Sequence, residues 1–207
     1  MKTFALALTL PLASVLAFSA PAFAKIATGS TVSDMAVVDS NGVTHNLSDF
    51  EGQRVILEWT NEGCPYVKKH YKSNNMQALQ REATASETET VWLSVISSAP
   101  GKQGHKDGNG ANQTVERYAA APTAVILDEE GTMGLAFSAR TTPHMYIIDA
   151  DQTLVYQGAI DDNSSSSVAS IDGATNYVRA ALADLDAGRA VATTDTQPYG
   201  CSVKYAS

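Results

Sequence analysis

Two short stretches of the chain are apolar at nearly every position, residues 55–60 (Val55-Ile56-Leu57-Glu58-Trp59-Thr60) and residues 91–96. A strand with one wet face alternates, whereas one covered on both faces does not, so these two predict central strands of a sheet with helices on either side. Upstream, Met35-Ala36-Val37-Val38 and residues 43–47 flank the turn residues Asp39-Ser40-Asn41-Gly42, a hairpin pattern closed by Ser48-Asp49-Phe50-Glu51-Gly52. A helix is expected over residues 65–82, with Pro65 at its first position, where a missing N–H is harmless. The Gly-rich, polar stretch 97–112 predicts a long surface loop, followed by a helix over 113–121, a strand over 123–127 and a short helix over 129–137. Residues 145–149 and 153–157 form a second hairpin pattern around Ala150-Asp151-Gln152. Residues 161–170, with four consecutive serines, read as a flexible connection, and a last helix capped by Asp172 runs to Ala187 and stops at Gly188. Together these elements predict an α/β fold with a central mixed β-sheet flanked by helices, an N-terminal hairpin and a C-terminal tail.

The first residues follow a different pattern. Lys2 precedes an apolar run over 4–18 and then Pro21-Ala22-Phe23-Ala24 before Lys25, the layout of a secretory signal with an Ala-x-Ala cleavage site. The expected divisions are therefore a signal peptide over 1–24, a domain over 25–188 and a tail over 189–207 that carries Cys201. The apolar run is too short to span a bilayer, no later stretch is long enough, and no cysteine follows the cleavage site to carry a lipid, so no membrane insertion is expected. The Ala-rich signal points to a bacterial envelope, with the periplasm as the expected location. The formal net charge of −8 becomes −9 once Lys2 is removed, over 183 residues, and so acidic a balance argues against nucleic acid or anionic membranes as partners. Two cysteines are too few for a disulfide framework, yet in an oxidising compartment they can pair or exchange.

The chemistry concentrates on Cys64, which lies in the turn Thr60-Asn61-Glu62-Gly63-Cys64-Pro65 between a strand and a helix. Unpaired amides and the positive end of the helix dipole favour a thiolate at such a position, and Lys68 and Lys69 are expected to push the same way. The competing reading is a buried inert thiol or one half of a permanent disulfide. Cys201, 137 residues later and flanked by Pro198-Tyr199-Gly200, sits in a stretch expected to be mobile, able to fold back over the Cys64 turn as a resolving thiol or to pin the tail in a static bond. His70, His144 and Met145 with Cys64 offer soft-metal donors, but His70 is six residues from Cys64 and off its helix face, so neither a metal nor another cofactor is expected. Lys102, His105 and Lys106 read as solvated loop residues that at most gate the site.

From about residue 31 to 187 the chain resembles the thioredoxin-like superfamily, in particular its redoxin branch of alkyl hydroperoxide reductases and thiol-specific antioxidants. The likeness is carried by Asp39-Ser40-Asn41-Gly42 with Leu47 to Gly52, by Trp59 to Pro65 at the place of the active-site turn, and by Thr142-Pro143 before Met145-Tyr146-Ile147-Ile148-Asp149. It departs from thioredoxins in having Val67 where their second cysteine stands. It departs from peroxiredoxins in having Asn61 and Leu57 where they carry Thr or Ser and Pro, and Pro143 where they usually carry Arg. Cys64-Pro65-Tyr66-Val67-Lys68 and Gly200-Cys201-Ser202-Val203-Lys204-Tyr205 are similar to a peroxiredoxin-like subgroup with a single Cys-Pro turn.

The resemblance implies a cis Pro143, with Thr142 offering backbone groups to a partner strand beside Cys64. It puts Glu58 at the position of a buried acid that relays protons, the alternatives being a carboxylate that reaches the sheet edge or pairs with a lysine. Arg140 is close enough in sequence to replace the missing positive charge, and Asn61 and Thr60 to donate hydrogen bonds to the sulfur or to a bound oxyanion, unless both simply shape the turn. The implied activity is a thiol-dependent oxidoreductase acting on a protein disulfide or a small peroxide, with a thiol or disulfide protein as electron donor or acceptor. The reading from another class is a catalytically silent binding module closed by a structural Cys64–Cys201 bond, taking a protein or a metal.

Overall fold

The computed structural model describes residues 25–206; the signal-like segment 1–24 lies outside the described residues. Strands β1 (Ala36–Val38) and β2 (Thr44–Asn46) form the predicted hairpin, with Ala36 opposite Asn46. The main sheet has the order β5 (Ala124–Leu127), β4 (Thr90–Ile96), β3 (Arg54–Trp59), β7 (His144–Ile148), β8 (Leu154–Gly158). Pairs β3–β4 and β4–β5 are parallel, and β3–β7 and β7–β8 antiparallel, so the sheet is mixed. Every residue of β3 and β4 is buried, as the continuous apolar patterns require.

Side-chain alternation then sorts the core. Val55, Leu57 and Trp59 pack on one face with Phe137, Tyr146 and the hairpin, near α4 (Thr132–Ala136). Ile56 points the other way, into a cluster with Val67, Met76, Leu79 and Val178 from α1 (Pro65–Lys72), α2 (Asn75–Thr84) and α5 (Tyr177–Asp186). Cys64 belongs to that second cluster.

Four element expectations are corrected. The helix expected over 65–82 is two helices, because Asn74 takes a left-handed conformation (φ 61°) that an asparagine tolerates and the Ser73 hydroxyl donates to the last carbonyls, Lys69 O at 2.8 Å and His70 O at 3.0 Å. Helix α3 (Gly108–Tyr118) begins inside the expected loop 97–112, since Asp107 caps it by accepting the Gly110 amide at 2.7 Å. The last helix is capped by Asn176, which accepts the Arg179 amide at 2.9 Å, and not by Asp172. The serine-rich connection is tied down, with Asp161 buried and the Asn163 carbonyl and Ser170 hydroxyl both bonded to Lys69.

The largest departure is the tail. Residues 189–206 form a strap across one end of the sheet. Thr194 O accepts the Gln157 amide at 2.9 Å and the Thr196 amide donates to Gln157 O at 3.1 Å, extending the β8 edge. Cys201–Ser202 then forms a strand, β9, antiparallel to β6 (Thr141–Thr142), and Tyr205 ends the strap by donating its hydroxyl to Ala139 O at 2.8 Å.

Candidate active site

Strand β3 delivers the chain to a turn in which the Asn61 carboxamide accepts the Gly63 amide at 2.8 Å and donates to Gln103 O at 3.0 Å. The Cys64 amide closes the turn on Asn61 O at 2.9 Å, and Cys64 becomes the N-cap of α1. Its thiol donates to Thr142 O at 3.0 Å. The bond between Thr142 and Pro143 is cis, as the resemblance implied. Thr142 faces Cys201 across the β6–β9 pair, with Thr141 opposite Ser202. Thr142 thus meets Cys64 through its carbonyl oxygen and Cys201 through its backbone, and Cys64 is fully buried, with Tyr199 and Cys201 of the strap packed against its cluster.

Burial pushes the Cys64 thiol up, but hydrogen bonds from the Cys201 thiol, the Val67 amide, the Thr142 hydroxyl and the Cys201 amide outweigh it and lower its pKa. The Thr142 hydroxyl is buried with no other partner, which leaves it available as a donor to the ionised sulfur. Burial and the neighbouring Cys64 sulfur push Cys201 up to about 12. Both thiols are free, with Cys64 the natural thiolate and Cys201 its proton-bearing neighbour.

The expected help from Lys68 and Lys69 is absent among the groups that act on Cys64. Lys69 is buried and turned away, donating to Asn163 O at 2.8 Å and to the Tyr199 hydroxyl at 3.2 Å, with Asp161 Oδ2 at 3.6 Å. Burial lowers the Lys69 pKa against the opposing pull of Asp161. His70 Nε2 lies 3.2 Å from the same Tyr199 hydroxyl, which donates to Asp161, and burial with the adjacent Lys69 lowers His70 to about 3. These four residues form a latch for the strap that sequence reasoning missed. The only local signal was the Val67, His70 and Tyr71 spacing, which puts His70 on the inward face of α1.

Glu58 is fully buried, its carboxylate accepting from Tyr71 at 2.8 Å, Trp92 Nε1 at 2.9 Å, Ser94 at 3.1 Å and Gln80 at 3.2 Å. It sits in mid-sheet opposite Met145 and Ser94, so it neither reaches an edge nor pairs with a lysine. Burial raises its pKa, but among the described residues no hydrogen bond joins it to Cys64. Thr60 lines a cavity of about 40 Å³ with Val67, Tyr71 and Ser94. Arg140 is exposed and lines a separate groove with His144 and Asp195. The structure therefore assembles Cys64, Thr142, Pro143 and Cys201, holds Asn61 as the turn's scaffold, and leaves Arg140 apart. Among the described residues no group of three or more His, Cys, Asp or Glu is arranged to hold a metal ion, and no helix is long and apolar enough to cross a membrane.

A mixed sheet with a cysteine at the first turn of α1, facing a cis-proline strand, defines a thioredoxin-like redoxin. Residues 28–157 match the AhpC/TSA family, and the chain belongs to it. Among solved structures it is similar to an uncharacterised conserved protein from Geobacillus kaustophilus (TM-score 0.75, 22% identity, covering 87% of this chain and 93% of that one). It is also similar to a hypothetical protein from Sinorhizobium meliloti 1021 (TM-score 0.69, 21% identity, 89% and 97% covered). A thiol:disulfide interchange protein from Bacteroides sp. shares the fold more loosely (TM-score 0.51, 15% identity, 71% and 88% covered). No curated protein matches the chain.

Proposed function

We propose that this protein is an exported thiol:disulfide oxidoreductase in which Cys64 attacks and Cys201 resolves. The observation that carries this reading is the placement of Thr142, whose carbonyl accepts the Cys64 thiol while its backbone pairs with Cys201, so that a second cysteine already stands where an incoming one would be attacked. The Cys64 thiolate attacks one sulfur of a partner disulfide; that S–S bond breaks, a Cys64–partner disulfide forms, and the partner's other sulfur leaves as a thiolate that takes a proton. Cys201 then loses its proton to solvent and attacks the Cys64 sulfur, forming the Cys64–Cys201 disulfide and expelling the partner's first sulfur. Two electrons have passed to the partner, and an external dithiol restores the pair.

The unequal acidities order these steps. Cys201 is held protonated partly by the charge on Cys64, and that charge disappears once Cys64 enters a mixed disulfide, so Cys201 becomes nucleophilic only when its turn comes. A peroxide is disfavoured as substrate because Arg140 lines another groove and the Asn61 carboxamide is already engaged. The reading as a silent module is favoured by one observation, the anchoring of the strap on both sides of Cys201. Redox titration separates the two: a potential below about −300 mV indicates a structural bond, and a higher one an exchanging pair.

The direct test compares wild type with Cys64→Ser and Cys201→Ser in reduction of a protein disulfide and of hydrogen peroxide. Loss of disulfide reduction in Cys64→Ser and accumulation of a mixed disulfide in Cys201→Ser are expected; equal disulfide and peroxide rates for wild type and Cys64→Ser would refute the enzyme. Export is tested by fractionating expressing bacteria, with a periplasmic product beginning at Lys25 expected.

A further inference from the structure

Cys64 is covered by the strap, so a partner disulfide reaches it only by taking the strap's place, and the contacts now made by Tyr199, Gly200 and Cys201 are those the partner inherits. Each of the three positions meets a built feature. The Tyr199 hydroxyl enters the latch, bonded to Lys69 and His70 at 3.2 Å each and donating to Asp161. Its ring stands edge-on to Tyr66 at 5.8 Å, with the Lys69 ammonium 5.1 Å from the ring centre. Gly200 has φ 138°, and a Cβ there would collide with the Thr142 carbonyl oxygen. Cys201 pairs with Thr142 beside the Cys64 sulfur. The next position asks less, since Ser202 is exposed.

The geometry points to a recognition slot for an extended protein segment of the pattern Tyr-Gly-Cys, in which a phenol enters the Lys69–His70–Asp161 latch, glycine passes Thr142, and the cysteine sulfur is attacked by Cys64. This rests on the exchange function above and names its partner class: a protein whose reactive disulfide follows a glycine and, one residue further back, a tyrosine. The strap is the chain's own copy of that segment, and it excludes disulfides that cannot displace it. Any Cβ at the second position would meet the Thr142 carbonyl oxygen, so only glycine passes it, which makes the glycine the sharpest discriminator.

The test uses the full chain with Cys201→Ser, and in parallel Tyr199→Ala with Cys201→Ser, whose strap is loosened. Each is mixed with short peptides whose cysteine is disulfide-linked to thionitrobenzoate. Attack by Cys64 on the peptide sulfur breaks that bond, forms the protein–peptide disulfide and releases one coloured thionitrobenzoate anion. Tyr-Gly-Cys peptides are expected to react about tenfold faster than Tyr-Ala-Cys and Ala-Gly-Cys peptides in both variants, and faster overall in the one with the loosened strap. Equal rates across the peptides, with rapid release, would overturn the slot and leave the exchange function standing. No release from any peptide, nor from the free dithiobis reagent in denaturant-free buffer, would overturn both. The Cys201→Ser variant keeps the comparison decisive if Tyr199→Ala does not fold.

Discussion

Thr142 touches both halves of the redox pair, and its buried hydroxyl has no partner other than the Cys64 sulfur. Thr142→Val keeps the shape and removes that donor, so the Cys64 pKa should rise, read from the pH dependence of thiol alkylation. Glu58 gives the opposite expectation. Its partners all donate to it, so Glu58→Gln sets an amide N–H₂ among donors and should cost about 1–3 kcal/mol of stability in urea unfolding while moving the Cys64 pKa little. At this scale Cys64 was legible in the sequence, because a cysteine before proline after a buried strand is a local feature. Arg140 was not, because closeness in sequence does not say which side of a turn a side chain leaves.

The strap is the element that decides access. Tyr199→Phe keeps the ring but removes the hydroxyl from Lys69, His70 and Asp161, leaving buried polar groups short of a partner. The strap should loosen, and reaction of Cys64 with a pyridyl disulfide should speed up about tenfold or more. The hairpins and the central strands were readable because their periodicity is local. The break between α1 and α2 was hidden because a helical pattern continues on both sides of it, although Ser73-Asn74-Asn75 carries the stop in plain composition. The strap reads as a mobile tail in the sequence because the bonds that dock Tyr199, Cys201 and Tyr205 are long-range, and polar, Pro- and Gly-containing stretches read alike whether docked or free.

For the whole molecule, two buried histidines contribute to the loss of stability in acid. His70 and His144 are each lowered from 6.5 to about 3, mainly by burial. At these two sites the unfolded chain therefore binds more protons between these values, so the histidines' contribution to stability should be full above about pH 6.5 and fall as pH drops toward 3, by about 1 kcal/mol per unit for each histidine. Urea midpoints from pH 7 to 4 check this, and His70→Gln should reduce the slope. Closing Cys64–Cys201 joins residues 137 apart, and the oxidised protein should unfold about 2–4 kcal/mol later than the reduced one, checked by urea titration with and without a dithiol.

By itself the sequence determined which strands lie at the centre of the sheet and that a thiol sits where a helix begins, since burial on both faces and helix capping depend on residues near one another in the chain. Only the tertiary structure decided which side chains meet that thiol. The approach of Cys201, the burial of Lys69 against Asp161 and Tyr199, and the removal of Arg140 to another groove all follow from how distant segments pack, and packing between segments leaves no period in the chain to read.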